Sequence, residues 1–452
     1  MQTLVAVIGL QFGDEGKGKI VDKIVAEAQK NNKTVVVRFQ GGTNAGHTIY
    51  AKDKDNNLVE FITHAAPTGL ATNADIAIGP SVAFDPERFV EELTKARELF
   101  NYTGRIMISE RTGMLLDYHR KLDAWKETKA KNIGTTKSGI GPFYKDNADR
   151  LTRITFYDYV SEHFPEKLKE VLEMKKSDLL GAKITEDIDA YHKELLTAHE
   201  KIRKELKQYI EILEYRMREY LDKGYNIIIE GAQGTNLDND MGTIPDVTSS
   251  HLLAPHAFPT LGLPRKLFKI IGIEKIYPTR VGNGKLPTLE EDVFGPKVVK
   301  NAGEFGATTG RERRVGYPDW ALVKRSVMLN DCDGIIMTRT DCLQNMDIKA
   351  GIGYVIKGEK TEELPLDLSL IEKPIFLDKT FSWILWKGHE DLSNPLEMDA
   401  LLKEQRTNYV KNGFDSLPEG LKDYVKEHDK FVGCPIIGIS LGPGRDETVD
   451  IK

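Results

Sequence analysis

Leu4-Val5-Ala6-Val7-Ile8-Gly9-Leu10 runs directly into Gln11-Phe12-Gly13-Asp14-Glu15-Gly16-Lys17-Gly18-Lys19. The apolar run reads as a strand, and the glycine-dense stretch as the loop that ends it. Glycines leave the loop nearly free of side chains, so backbone N–H groups can approach phosphate oxygens, while Lys17 and Lys19 add positive charge. From Ile20 to Ala28, Ile20, Ile24 and Val25 recur at helical spacing. The loop therefore opens a helix whose positive end faces a bound anion. The spacing Gly13-x-x-x-x-Gly18-Lys19 fits a phosphate loop until Ile20, where a Ser or Thr should hold magnesium. Isoleucine cannot ligate a hard cation, so Asp14 is the nearest oxygen donor. A carboxylate among phosphates makes sense if a metal neutralises it, or if it takes a proton from a substrate.

Working outward, Thr34 to Phe39 is β-branched and predicts a second buried strand, followed by Gln40-Gly41-Gly42-Thr43-Asn44-Ala45-Gly46-His47-Thr48. Two glycine-rich loops at successive strand ends would meet at one edge of a parallel sheet, where open α/β folds bind ligands. Asn44 can read a base edge, and His47 is the loop residue able to exchange a proton near neutrality. Ile76 to Gly79 and Ile106 to Ser109 read as strands, with an amphipathic helix from Pro86 to Phe100 between them. The stretch Ile133 to Pro142, too glycine-rich for either element, is a plausible grip for a monoester phosphate or a connector. From Asp158 to Gly224 lysines, glutamates and helically spaced apolar residues predict a lobe of exposed helices.

Strands resume at Tyr225–Glu230, Ile270–Ile276, Gly334–Thr338 and Ile436–Ser440. The loop after Glu230 carries Gln233, able to pair with a purine edge, and Val247 to Ser250 supplies hydroxyls. Asp238 and Asp240 lack the glycine and terminal glutamate of an EF-hand, which speaks against calcium. Ala307 to Arg314 is glycine-hinged and arginine-rich, suited to a small acid. Thr338-Arg339-Thr340-Asp341 resembles the Asn/Thr-Lys-x-Asp element of GTP-binding proteins, in which the carboxylate accepts from guanine N–H groups.

Composition narrows the class. At about 150 residues per domain, 452 residues would suggest roughly three domains, but large α/β enzymes break that rule. One domain spanning 1–452 is expected, with a helical sub-lobe at about 158–224. A net charge of −6 gives no basic excess for nucleic acid, and no apolar run is long enough for a membrane span. Three cysteines without CxxC spacing fit reduced thiols in a cytoplasmic protein.

The motifs quoted, from Val5 to about Thr448, together closely resemble those of adenylosuccinate synthetases: the loop at 11–19, the run at 40–48, Gly134-Thr135-Thr136 with Gly139-Ile140-Gly141-Pro142, Glu230 to Thr235, Val247 to Ser250, Thr279 to Gly282 and Glu304 to Arg311. The resemblance implies an α/β fold with a large, mostly parallel central sheet flanked by helices, a P-loop-like GTP site and an inserted helical lobe. It implies GTP-dependent joining of IMP and L-aspartate, with one magnesium ion per subunit. By resemblance Asp14 takes the proton from IMP N1 and ligates magnesium, with the Gly46 carbonyl as a further ligand. His47 acts as acid toward the 6-oxygen, and Lys17 and Gln233 complete the catalytic group. GTP would lie against Gly13, Asp14, Glu15, Gly16, Lys17, Gly18 and Lys19, and against Arg313, Arg339, Thr340, Asp341, Ser440, Leu441 and Gly442. IMP would contact Asn44, Ala45, Gly46, His47, Thr136, Gln233, Thr248, Val281 and Arg311. Aspartate would sit on Ala307, Thr308, Thr309, Gly310, Arg311 and Arg313. In the family the arginine matching Arg150 reaches the IMP phosphate of the neighbouring subunit, which implies a homodimer. Arg339 in place of lysine, Glu312 within the arginine run and Lys137-Ser138 in place of Gly-Arg depart from the family pattern. Two alternatives stay open: a relative that aminates dGMP, which would carry a smaller residue than Asp14, and a GTP-binding switch, which would not need the loops at 44–47, 233–235 and 307–313.

Overall fold

The computed structural model describes residues 2–129, 136–305, 312–389 and 399–451. Its strands in the first half are β1 (Leu4–Gly9), β2 (Thr34–Gly41), β3 (His47–Lys52), β4 (Leu58–Thr63), β5 (Asp75–Phe84), β6 (Ile106–Ser109), β7 (Gly113–Met114), β8 (Ile210–Glu211) and β9 (Asn226–Glu230). In the second half they are β10 (Lys269–Lys275), β11 (Thr279–Arg280), β12 (Arg314–Val315), β13 (Gly334–Thr338), β14 (Ile348–Ile356), β15 (Glu359–Thr361), β16 (Ile371–Phe381), β17 (Ile436–Ser440) and β18 (Thr448–Asp450).

The main sheet runs β18-β17-β13-β10-β1-β9-β2-β5-β6-β8. Every pairing along it is parallel except β17 with β18. Parallel strands are covered on both faces, which is why β1, β9 and β13 read as near-continuous apolar runs. Val5 and Val7 pack with Ile20, Val21 and Val25 of helix α1 (Lys17–Ala28) on one face. Ala6 and Ile8 belong to the opposite layer, with Ala257, Phe258 and Val298. Because the strands point one way, the loops after Gly9, Gly41, Glu230, Lys275, Thr338 and Ser440 leave from the same edge. The helix Pro86–Phe100 is capped by Asp85, which accepts from the Arg88 N–H, with Pro86 in its first turn.

Two stretches differ from the sequence reading. The helical run does not reach Gly224 unbroken. After the helices Phe164–Met174, Lys176–Gly181 and Ile188–Leu206, β8 adds to the sheet through Ile108↔Ile210. Helix Leu213–Asp222 then packs Leu213, Met217 and Tyr220 into the main core. A two-residue strand is too short to show alternation. The lobe helices also bury Phe164, Leu168, Val171 and Leu195, so only their outer faces are solvated. His47 is not in a loop either: it opens β3 of a hairpin in which it pairs with Thr63. The period-two pattern of buried His47, Ile49 and Ala51 is the strand signal.

Candidate active site

The phosphate-type loop is shaped from within. Glu15 is buried, and its Oε1 accepts from the N–H groups of Gln11 (3.1 Å) and Gly13 (2.8 Å). Lys17 Nζ lies 2.6 Å from Glu15 Oε2. A side chain at Gly9 or Gly234 would run into this carboxylate and into the Gln233 or Gln11 carbonyl, so both positions must be glycine. Thr338 at the end of β13 donates to the Glu15 carbonyl at 2.7 Å, and Gln11 exchanges two hydrogen bonds with the Lys275 backbone, tying the loop to its neighbours. Gly13, Asp14 and Gly16 take positive φ values of 91°, 61° and 87°. No side chain caps α1 at Gly16, which leaves its first-turn N–H groups without a side-chain acceptor, an arrangement suited to an anion.

The second loop brings His47 to Glu230, the last residue of β9. His47 Nδ1 bonds Glu230 Oε1, and Glu230 Oε2 accepts from the N–H (2.9 Å) and hydroxyl (2.8 Å) of Thr68. The carboxylate fixes the imidazole with its proton on Nδ1. Nε2 is buried and has no hydrogen-bond partner among the described residues. Burial pushes the His47 pKa below its ordinary value, while Glu230 opposes that shift. Burial would raise Glu230, but the His47 partnership, Thr68 and Arg38 outweigh it and hold it below the usual carboxylate value. Both directions describe a neutral imidazole donating to an ionised carboxylate. Arg38 donates to the carbonyls of His64 and Gly42, bracing the turn that follows β2. Gln233, at φ 53°, donates from Nε2 to Asn44 Oδ1 at 2.8 Å and buries an Oε1 that has no partner among the described residues. A Cβ at Gly18 would lie 3.0 Å from His47 Cβ, so α1 and His47 are in close contact.

Beside these loops Arg313 forms ion pairs with Asp14 Oδ2 (2.9 Å) and Glu304 Oε2 (2.7 Å). Glu304 also meets Lys275 Nζ (3.2 Å) and accepts from Tyr277 OH (2.8 Å). Burial would raise Glu304, yet Lys275, Arg339 and Arg313 hold its pKa down to about 2. Lys19 Nζ donates to Ser440 Oγ at 2.6 Å and to the Gly442 carbonyl, and burial pushes its pKa down to about 7. Thr340 Oγ1 donates to the Ser440 carbonyl at 3.0 Å, so the ends of β13 and β17 are stitched together. Asp341 and Leu441 are buried. Burial raises the Asp341 pKa against Arg339, Arg406 and Lys19. Arg406 reaches Glu447 Oε1 at 2.8 Å, and Glu447 Oε2 accepts from the Gly444 N–H at 2.6 Å, which clamps the turn after β17.

The structure therefore gathers Asp14, Lys17, Asn44, His47, Gln233 and Arg313 at one corner, and Lys19, Arg339, Thr340, Asp341, Ser440 and Gly442 beside it. Ala45 accepts from His64 Nδ1 at 3.0 Å, and Gly46 is exposed. Thr136, Arg150 and Val281 are exposed, and the Thr248 N–H donates to the Leu237 carbonyl at 2.9 Å. Ala307, Thr308, Thr309, Gly310 and Arg311 lie outside the described residues. The exposed Glu312 forms a bridge with Phe305 at the base of that stretch. Sequence reasoning gave no role to Glu230, Thr68, Arg38, Glu304 or Arg406. Glu230 and Arg38 carried a signal, being charges at the carboxyl ends of otherwise apolar strands. Arg406 carried none, since its helix Asp399–Asn412 is polar along much of its length.

The profile of the adenylosuccinate synthetase family matches residues 6–449. The chain is 38% identical over 458 residues to the adenylosuccinate synthetase of Geotalea daltonii, covering 99% of this chain and 98% of that one. It is 37% identical over 461 residues to that of Geobacter metallireducens, with coverage of 99% and 98%. Among solved structures it resembles the fully ligated adenylosuccinate synthetase from Plasmodium falciparum at a TM-score of 0.84, with 29% identity and both chains fully covered. A cyanophage S-2L succinoaminodeoxyadenylate synthetase bound to dGMP and dATP shares the fold at a TM-score of 0.61 and 15% identity, with coverage of 100% and 95%. The chain belongs to the adenylosuccinate synthetase family.

Proposed function

We propose the following division of labour for the reaction that family membership gives this chain, the GTP-dependent joining of IMP and L-aspartate into adenylosuccinate. Asp14 takes the N1 proton of IMP, which makes the 6-oxygen a nucleophile toward the γ-phosphoryl group of GTP. His47, held by Glu230 through Nδ1, presents Nε2 to that oxygen; neutral in the free protein, it takes up a proton on Nε2 as the anionic nucleotides bind and donates it as charge develops. The phosphoryl group turns the 6-oxygen into a leaving group, and the aspartate amine displaces phosphate at C6. Lys17 and the uncapped first turn of α1 receive the transferred phosphoryl charge. The observation that carries the reading is the buried His47 Nε2, without a partner while its other nitrogen is fully engaged.

Magnesium fits the residues present: the Asp14 carboxylate is half-exposed on a positive-φ turn, and with the Gly46 carbonyl it offers the hard oxygen donors this ion takes. When bound, the ion spreads the charge of the transferring group. Asp341 accepts from the guanine N–H groups, with the Arg339 plane against the base. Asn44, Thr136, Gln233, Thr248 and Val281 hold IMP, and the segment 307–313 holds aspartate. Arg150, exposed beyond the helix Ile140–Ala148, serves the neighbouring site of a homodimer in the cytoplasm. Asp14 favours IMP over dGMP, because its side chain stands where a 2-amino group would need room.

One assay tests the reading. Purified protein with GTP, magnesium and aspartate should raise near-ultraviolet absorbance with IMP and not with dGMP. GTP hydrolysis independent of both partners would overturn it. For the shared site, mixing Arg150→Leu and Asp14→Ala proteins should restore part of the activity; no rescue would refute the role of Arg150.

A further inference from the structure

In the chain that follows β9, Asp240, His251 and His256 bring one ligand atom each into a group in which all lie within 4.8 Å of one another. His251 Nδ1 is 3.2 Å from Asp240 Oδ2, and the two imidazole rings stack with centroids 4.6 Å apart. Asn239 Nδ2 meets the other oxygen, Asp240 Oδ1, at 3.2 Å, which orients the carboxylate with Oδ2 toward the histidine.

The backbone beneath this group is pinned from the interior. Asp238 is fully buried. Its Oδ1 accepts from the N–H groups of Asp240 and Met241, both at 2.9 Å, and its Oδ2 accepts from the Leu252 N–H. Asn239 N–H donates to the Ser250 carbonyl at 3.1 Å. One internal carboxylate thus sets the segment carrying Asp240 against the segment carrying His251. The turn carrying His256 is held by Asn330, also buried, whose Oδ1 accepts from the Ala254 N–H at 2.9 Å. The donors are therefore gathered by packed structure, although their tips reach solvent.

We propose that Asp240, His251 and His256 form a binding site for a late first-row divalent cation of the Zn²⁺ type. Two imidazoles and one carboxylate are the donors such ions take, whereas magnesium prefers a shell of oxygen alone. Bond lengths of about 2.0–2.1 Å to nitrogen and oxygen give tetrahedral ligands roughly 3.3 Å apart, close to the Asp240–His251 spacing, so exposed side-chain rotation need only bring in His256. Three protein ligands leave one position for water. The ion would clamp the turn 238–242 to the segment 248–256, which includes Thr248, and it does not take part in the phosphoryl chemistry.

Cobalt(II) provides the probe, because tetrahedral nitrogen and oxygen coordination gives visible absorption bands that octahedral aqueous cobalt lacks. The full-length protein should bind one cobalt per chain with those bands, and zinc should displace it. His251→Ala and His256→Ala, both at solvent-reaching positions, should each abolish the bands without altering the fold. Asp238→Asn, which loosens the brace, should weaken binding by about 10- to 100-fold. Absence of the bands in the wild type, or their survival in the double histidine variant, would overturn the assignment.

Discussion

Arg313 Nε lies 2.9 Å from Asp14 Oδ2, and the same guanidinium reaches Glu304, so the loop after β1 is joined by charge to Arg313 and Glu304. Two stretches far apart in sequence meet at the carboxylate assigned as the base. Asp14→Asn keeps the shape and a hydrogen-bond acceptor but removes the basicity. Turnover should fall by about 10²–10⁴ with an unchanged circular dichroism spectrum. Near-normal turnover would remove Asp14 from the chemistry.

Glu230→Gln tests the orientation of His47. The carboxylate opposes the burial that lowers the His47 pKa, so its loss lowers that pKa further. If protonated His47 is the acid, activity falls as pH rises through its pKa. The alkaline limb of the kcat/KM profile should therefore move to lower pH in the variant, with a loss of about a hundredfold at neutral pH. An unmoved limb would show that Glu230 only supports the fold.

Lys19 carries a different pH signature. Its pKa of about 7 makes it largely neutral at pH 8, and nearby phosphates favour the charged form. GTP binding should then take up close to one proton at pH 8 and almost none at pH 6. Calorimetry in buffers of different ionisation enthalpy reads this directly, and Lys19→Met should abolish the uptake.

Glu304 ties stability to acid. Its folded-state pKa of about 2 lies below the ordinary 4.5, so it contributes stability above pH 4.5 that is lost as pH falls toward 2. The difference corresponds to about 3 kcal/mol. Glu304→Gln leaves Lys275 and Arg313 facing an uncharged group. Denaturant unfolding should show a loss of about 3–5 kcal/mol at pH 7 and a flatter acid dependence than the parent.

Much of this was legible in the sequence because parallel strands buried on both faces leave apolar runs with glycines at their ends. Gly334–Thr338 and Ile436–Ser440 were read with the bounds the structure gives them. Helix Pro86–Phe100 was equally plain, since Asp85 and Pro86 mark its start. The β3–β4 hairpin is hidden because the glycines before His47 draw it into the loop, and β14–β16 because glycines interrupt β14, charges fill β16 and neither alternates in burial. Strand order was out of reach: nothing local says that β9 inserts between β1 and β2. The same limit hid Glu230 as the partner of His47, since that contact spans 183 positions and exists only once β9 lies beside β2.

The inward carboxylate of Glu15 has a consequence for how such a loop can change over generations. It accepts, from inside, the amide N–H groups of Gln11 and Gly13, so the mould is braced by the chain itself. Gly9 and Gly234 are the walls of that mould, and neither has room for even a methyl group between Glu15 and the neighbouring main chain. The main chain itself closes on both glycines, through the Gln233 carbonyl at Gly9 and the Gln11 carbonyl at Gly234, so a shorter residue at 15 would still leave no room there: Glu15 can vary across descendants only where the two glycines do not.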